Sequence, residues 1–170
     1  FPYTTLFRSD IETVEVFFSN NQILFRSESI SFYTRLLEGT YPDTDRLIPV
    51  EYKTTVVFNT ASLRHSMERA RLLSNATQNG TVKLEITNSI VSAHVNSPEV
   101  GRVNEELDTV EVLGEDLVIS FNPTYLIEAL KATTSEQVKI SFISSVRPFT
   151  LVPNNDGEDF IQLITPVRTN

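Results

Sequence analysis

Apolar and polar residues alternate from Ile11 to Leu37 in three short runs, interrupted at Ser19-Asn20-Asn21-Gln22 and at Ser27-Glu28-Ser29. Successive side chains of a strand point to opposite faces, so a period of two broken by small polar residues predicts a three-stranded meander. Glu38-Gly39-Thr40-Tyr41-Pro42-Asp43 then carries turn chemistry, and Pro49 closes a short polar connection ahead of a strand expected at Tyr52 to Phe58. These breaks place a domain boundary near Pro49.

Beyond that boundary one pattern occurs twice, first as Val56-Val57-Phe58-Asn59-Thr60 and again as Ile119-Ser120-Phe121-Asn122-Pro123. In each copy an apolar strand ends at an Asn whose side-chain oxygen can accept from the free amides of a following helix turn. Pro123 sits where its missing N–H costs nothing. The helices expected are Thr60 to Ser74 and Pro123 to Ala132, a repeat of about sixty residues. Three strand-like runs follow each helix: Thr81 to Thr87, Ile90 to Asn96 and Arg102 to Val112, then Gln137 to Ile143, Phe149 to Val152 and Phe160 to Thr165. A βαβββ unit used twice implies an α+β domain with helices on one face of antiparallel sheet. The meander resembles the last three strands of another such unit.

Residues 1 to 9, Phe-Pro-Tyr-Thr-Thr-Leu-Phe-Arg-Ser, stand outside these patterns. They back-translate without strain into TTTCCCTACACGACGCTCTTCCGATCT, which looks like a common short-read sequencing adapter, so they are set aside from the fold. The alternative is a genuine strand carrying Phe, Tyr and Thr.

Composition narrows the function. The 170 residues are 40% hydrophobic and 21% charged, ordinary for a globular chain. There is no run of about 18 apolar residues and no signal-like start, so a soluble, cytoplasmic protein is expected. The absence of cysteine excludes disulfides, thiolate nucleophiles and cysteine zinc sites, and His65 and His94 are too few for a histidine-rich metal site. No cofactor is expected. A net charge of −8 and a pI near 4.8 argue against gripping nucleic acid over the whole surface, so any DNA contact must come from a local basic face.

A carboxylate hydrolase has weak support. Glu105 and Glu106 are neighbours on a strand and point to opposite faces. Asp156, Glu158 and Asp159 fall in Asn154-Asn155-Asp156-Gly157-Glu158-Asp159, which reads as a hairpin turn. Gly-x-Ser-x-Gly, a Gly-rich phosphate loop and His-Glu-x-x-His are all missing. No enzyme activity is expected.

The stretch Tyr33-Thr34-Arg35-Leu36-Leu37-Glu38-Gly39-Thr40-Tyr41-Pro42-Asp43, with Arg46 and Pro49 after it, resembles a signature turn of the bacterial DNA sliding clamps, the beta subunits of DNA polymerase III. Leu72-Leu73-Ser74-Asn75, Phe121-Asn122-Pro123-Thr124-Tyr125-Leu126, Arg147-Pro148-Phe149 and Leu163-Ile164-Thr165-Pro166-Val167-Arg168 are similar to clamp motifs in the same order. The resemblance implies three similar domains per protomer and a ring of two protomers, with helices lining the hole. Residues 10–49 would be the end of domain two and residues 50–170 domain three, with the first domain and the front of the second absent. The implied function is that of a replication processivity factor. It would encircle duplex DNA without sequence preference and hold polymerase, clamp loader and repair proteins by linear motifs in a peptide pocket.

Three sites follow. On a helical wheel Leu63, Met67 and Ala70 form the buried side of the first helix, while Arg64, His65, Arg69 and Arg71 fall opposite with Glu68 among them. Alone, that pattern fits a solvated face with a pair such as Arg64–Glu68. The resemblance points the arginines, with Lys131 of the second helix, at DNA phosphate. Leu72 and Leu73 match the clamp's apolar protomer contact, with Glu99, Glu105, Glu106 and Asp108 on the following edge. The plainer alternative is an acidic edge strand that resists aggregation. For the peptide pocket the resemblance supplies Pro42, Arg46, Leu47, Asn122, Tyr125, Val146, Pro148, Leu163, Thr165, Pro166 and Val167. Their apolar walls and few polar groups suit a Leu or Phe anchor, although turn and terminal residues packing on one another would look the same. A peptide-binding module with no DNA role remains the second reading.

Deleting residues 1–9 is expected to leave the melting temperature unchanged within error; a drop of several degrees would show that they pair as a real strand.

Overall fold

The computed structural model describes residues 13–28, 30–39, 43, 47–74, 80–97, 101–155 and 160–168. Residues 1–9 therefore lie outside the described residues, as do Pro42, Arg46, Glu99 and the acidic group Asp156, Glu158 and Asp159. The chain divides into two compact units, residues 1–43 and 44–170.

The first unit is the meander its alternation predicts. Strands β1 (Glu15–Phe18), β2 (Gln22–Arg26) and β3 (Ser31–Arg35) pair antiparallel in chain order. Val16 lies opposite Phe25 and Phe25 opposite Phe32, so with Phe18 and Ile23 these residues share one face. On the other face the Arg26 guanidinium sits 5.3 Å from the centre of the Phe17 ring.

The second unit holds β4 (Thr54–Asn59), α1 (Thr60–Ser74), β5 (Val82–Thr87), β6 (Ile90–Ser97), β7 (Gly101–Glu106), β8 (Thr109–Gly114), β9 (Leu117–Phe121), α2 (Pro123–Ala132), β10 (Gln137–Phe142), β11 (Phe149–Pro153) and β12 (Gln162–Ile164). Both helices start as the sequence predicts: Asn59 Oδ1 accepts from Ser62 N–H at 3.0 Å and Asn122 Oδ1 from Thr124 N–H at 2.9 Å. Pro123 occupies the opening turn of α2, where no backbone donor is needed.

Two antiparallel sheets result, one ordered β12-β11-β10-β4-β8 and the other β7-β6-β5-β9. The strand before α1 pairs on one side with β8 of its own repeat, Val56 opposite Val112, and on the other with the second repeat. β4 pairs with β10, Val56 opposite Ile140, and β9 pairs with β5, Ile119 opposite Leu84. The first repeat thus gives β4 and β8 to the sheet of the second and the second gives β9 to the sheet of the first, and α1 and α2 pack against each other. The buried faces supply one continuous core, in which Phe149 lies between Phe121 and Phe142 at centroid distances of 5.2 and 5.1 Å.

The α+β class and the doubled βαβββ pattern are as expected. One expected strand is not: Arg102 to Val112 is two strands, β7 in one sheet and β8 in the other. Between them Leu107 is 5% exposed and its N–H donates to Val91 C=O at 2.8 Å, so the chain dives into the core there and changes sheets. Continuous apolar-polar alternation hides such a crossing, because both halves keep a period of two.

At the end of β8, Gly114 has φ +107°, and a Cβ placed there would lie 1.9 Å from Lys53 C=O. Neighbouring bonds close the same corner, with Glu115 N–H donating to Lys53 C=O and Thr54 Oγ1 to Glu115 C=O at 2.7 Å. Gly114→Ala is expected to cost at least about 2 kcal/mol of stability, since backbone and not a flexible side chain must move. Chemical denaturation would show it; an unchanged midpoint would mean that the β4–β8 corner rearranges freely.

Candidate functional site

Helix α1 carries the basic face. Leu63, Ser66, Met67, Ala70 and Ser74 are buried, which leaves Arg64, His65, Glu68, Arg69, Arg71 and Leu72 on the half-buried to exposed side. The wheel reading therefore holds for the apolar stripe, and Arg71 in the last turn also complements the negative end of the helix dipole. The charges pair differently from the expected intrahelical arrangement. Glu68 faces Lys131 of α2 at 3.7 Å and not Arg64. Arg69 pairs with Glu105 of β7. Among the described residues Arg64 and Arg71 have no carboxylate partner.

The Arg69–Glu105 pair is the most elaborated polar contact on this face. Ser66 Oγ donates to Glu105 Oε1 at 2.6 Å, Arg69 Nη2 donates to the same oxygen, and Arg69 Nε reaches Oε2 at 3.4 Å. The Arg69 hydrogen bond, aided by the one from Ser66 and by the neighbouring positive charge, holds the Glu105 carboxyl below its ordinary range. Arg69 is correspondingly raised, first by that hydrogen bond to Glu105. Glu105 thus has its oxygens committed, while Glu106 next to it is exposed; no acid–base pair is formed. Among the described residues no group of three or more His, Asp or Glu side chains could hold a metal ion.

For the expected protomer contact, Leu72 is 70% exposed, whereas Leu73 is partly buried against the core. Strand β7 is the edge of its sheet, with Glu106 and Asp108 exposed.

The expected peptide pocket is brought together in part. An open groove of about 370 Å³ is lined by Tyr125, Glu128 and Ala129 of α2 and by Gln162, Leu163, Ile164 and Thr165 of and after β12. Tyr125, Leu163 and Thr165 were expected there. Glu128 and Ala129 were missed, although their spacing of three and four from Tyr125 puts them on the same helix face. Asn122 is used as the α2 cap, and Val167 N–H donates to Ser120 C=O at 2.7 Å, which draws the segment after β12 alongside β9. Val146 and Leu47 are 54% and 51% exposed, and neither they nor Pro148 line this groove. Among the described residues no helix is long and apolar enough to cross a membrane.

Comparison with known proteins places this arrangement. The chain is 74% identical over 168 residues to the beta sliding clamp of Streptococcus pneumoniae, a match that covers 99% of this chain and 44% of that protein. The crystal structure of the DNA polymerase III beta chain from the same species superposes with a TM-score of 0.86 at 74% identity, over 98% of this chain and 44% of that one. The sliding clamp from Bacillus subtilis gives a TM-score of 0.77 at 39% identity, over 92% and 41%. The chain therefore spans under half the length of these relatives. Residues 45–168, which contain both helices, both sheets and the groove, match the family model for the DNA polymerase III beta subunit, C-terminal domain, and this chain belongs to that family.

Proposed function

We propose that this chain is the C-terminal part of a non-catalytic replication clamp, with residues 10–49 closing a second domain and residues 50–170 forming the third. In the ring-length protein two protomers enclose duplex DNA, and the groove beside α2 receives linear motifs from polymerase, clamp loader and repair proteins in the cytoplasm. The observation that carries the reading is the basic face of α1, half-buried at Arg64 and Arg71 and exposed at Arg69, on a chain of net charge −8 in a domain of this family. Phosphate contacts of that kind give salt-sensitive association without sequence preference, which is what sliding needs. Arg64 and Arg71, with no carboxylate partner among the described residues, are its strongest members, and Lys131 is a weaker one that shares Glu68. Leu72 and the β7 edge meet the second protomer.

Two measurements test this. In the ring-length protein, Arg64→Ala with Arg71→Ala should weaken DNA retention equally on unrelated sequences and lower the salt slope by about two, one for each arginine no longer paired with a phosphate. Unchanged retention would favour a peptide-binding module without a DNA role. A short Leu- or Phe-containing clamp-binding peptide should bind the groove, and Leu163→Ala should cost about 1 to 3 kcal/mol, or roughly five- to a hundredfold in affinity, without unfolding the domain. Calorimetry reads this directly. Leu47→Ala makes the same demand of a position outside the groove; if only Leu47→Ala reduces binding, the pocket lies elsewhere.

A further inference from the structure

Arg69 belongs to the basic face of α1 and Glu105 to the acidic edge β7, yet the two are bonded to each other. Three features set the contact apart from an ordinary surface ion pair. It is two-pronged, since Arg69 addresses both carboxylate oxygens, the planar fit that arginine makes and lysine cannot. It has a buried third member: Ser66 is 6% exposed, donates to Glu105 at 2.6 Å and accepts from Arg69 Nη2 at 3.0 Å. And it joins residues far apart in the chain, two of them one turn apart on α1 and the third on the edge strand.

Strand β7 needs such an anchor. It pairs on one side only, with β6, and every residue from Gly101 to Glu106 is exposed except Glu105. Apolar burial therefore does little to fix it. For Arg69 to reach a phosphate it would have to abandon Glu105 and leave that carboxylate with Ser66 alone, a cost that Arg64 and Arg71 do not face.

We propose that Arg69 is a positioning residue for the subunit edge and not a DNA contact: with Ser66 it clips Glu105, and through it β7, onto α1. The clip rests on the contacts above. Its role in assembly also rests on the clamp reading, which makes β7 the edge that meets a second protomer, beside the exposed Leu72 one turn beyond Arg69.

The test uses two readouts. By hydrogen exchange on the 170-residue chain, Arg69→Ala and Glu105→Gln should each speed exchange of the β7 amides while β4 and β10 keep their protection, and the double variant should add nothing further. In the ring-length protein, Arg69→Ala should raise the dimer dissociation constant about tenfold, because a ring has two such edges and each, no longer held in place beforehand, must be ordered on assembly. Arg69→Lys should restore only part of this. At protein concentrations that keep the ring closed, Arg69→Ala should leave the salt slope of DNA retention unchanged. The proposal is overturned if β7 exchange does not change, if the dimer constant does not move, or if the slope falls by about one as it would for a phosphate contact. A wild-type ring-length protein that neither dimerises nor retains DNA would instead sink the clamp reading, and with it the assembly role, whereas the exchange result would still stand on its own.

Discussion

The second unit depends on an exchange of strands. β4 keeps β8 of its own repeat on one side and takes β10 of the other repeat on its second side, while β9 leaves its repeat to pair with β5. Neither repeat can complete a sheet by itself, so neither can bury its helix by itself. The apolar sides of α1 and α2, Met67 and Leu130 among them, share one core with the inward residues of both sheets. This mutual requirement keeps the two helices side by side and on a common surface. The basic residues of α1 and the groove beside α2 inherit their positions from it.

Charge is distributed with the same economy. An acidic chain keeps a basic strip by burying the other side of α1 and by assigning carboxylates to particular partners: Glu68 to Lys131 and Glu105 to Arg69. Among the described residues, the arginines of α1 left without a carboxylate are Arg64 and Arg71. The net charge of the molecule and the local charge of one helix are thus independent quantities.

Local features were legible in the sequence. Helix bounds, both Asn caps, Pro123 in the first turn and the meander all follow from residues close in the chain, and the structure agrees with them. Features that join distant segments were not. The crossing at Leu107 was invisible because alternation continues through it. The Arg69–Glu105 pair was invisible because wheel and strand patterns treat each element alone, so its two members were assigned to different sites. Likewise Glu128 and Ala129 became groove residues only once β12 was laid beside α2, and Leu73 proved to divide its side chain between surface and core.

The three-stranded meander has a consequence for how the polypeptide reaches its folded state. Its strands are joined by short turns and pair with immediate neighbours, so it can assemble early and quickly, whereas β4 must await β8 and β10, some fifty-five and eighty residues later in synthesis. During that interval a small sheet is present with Val16, Phe18 and Phe32 on one face, each still at least 43% exposed, and with β1 and β3 as its margins among the described residues. An apolar ribbon whose margin strands pair with no other described strand is a template for copies of itself. Yield of this polypeptide should therefore be limited less by the stability of its larger unit than by crowding among nascent chains.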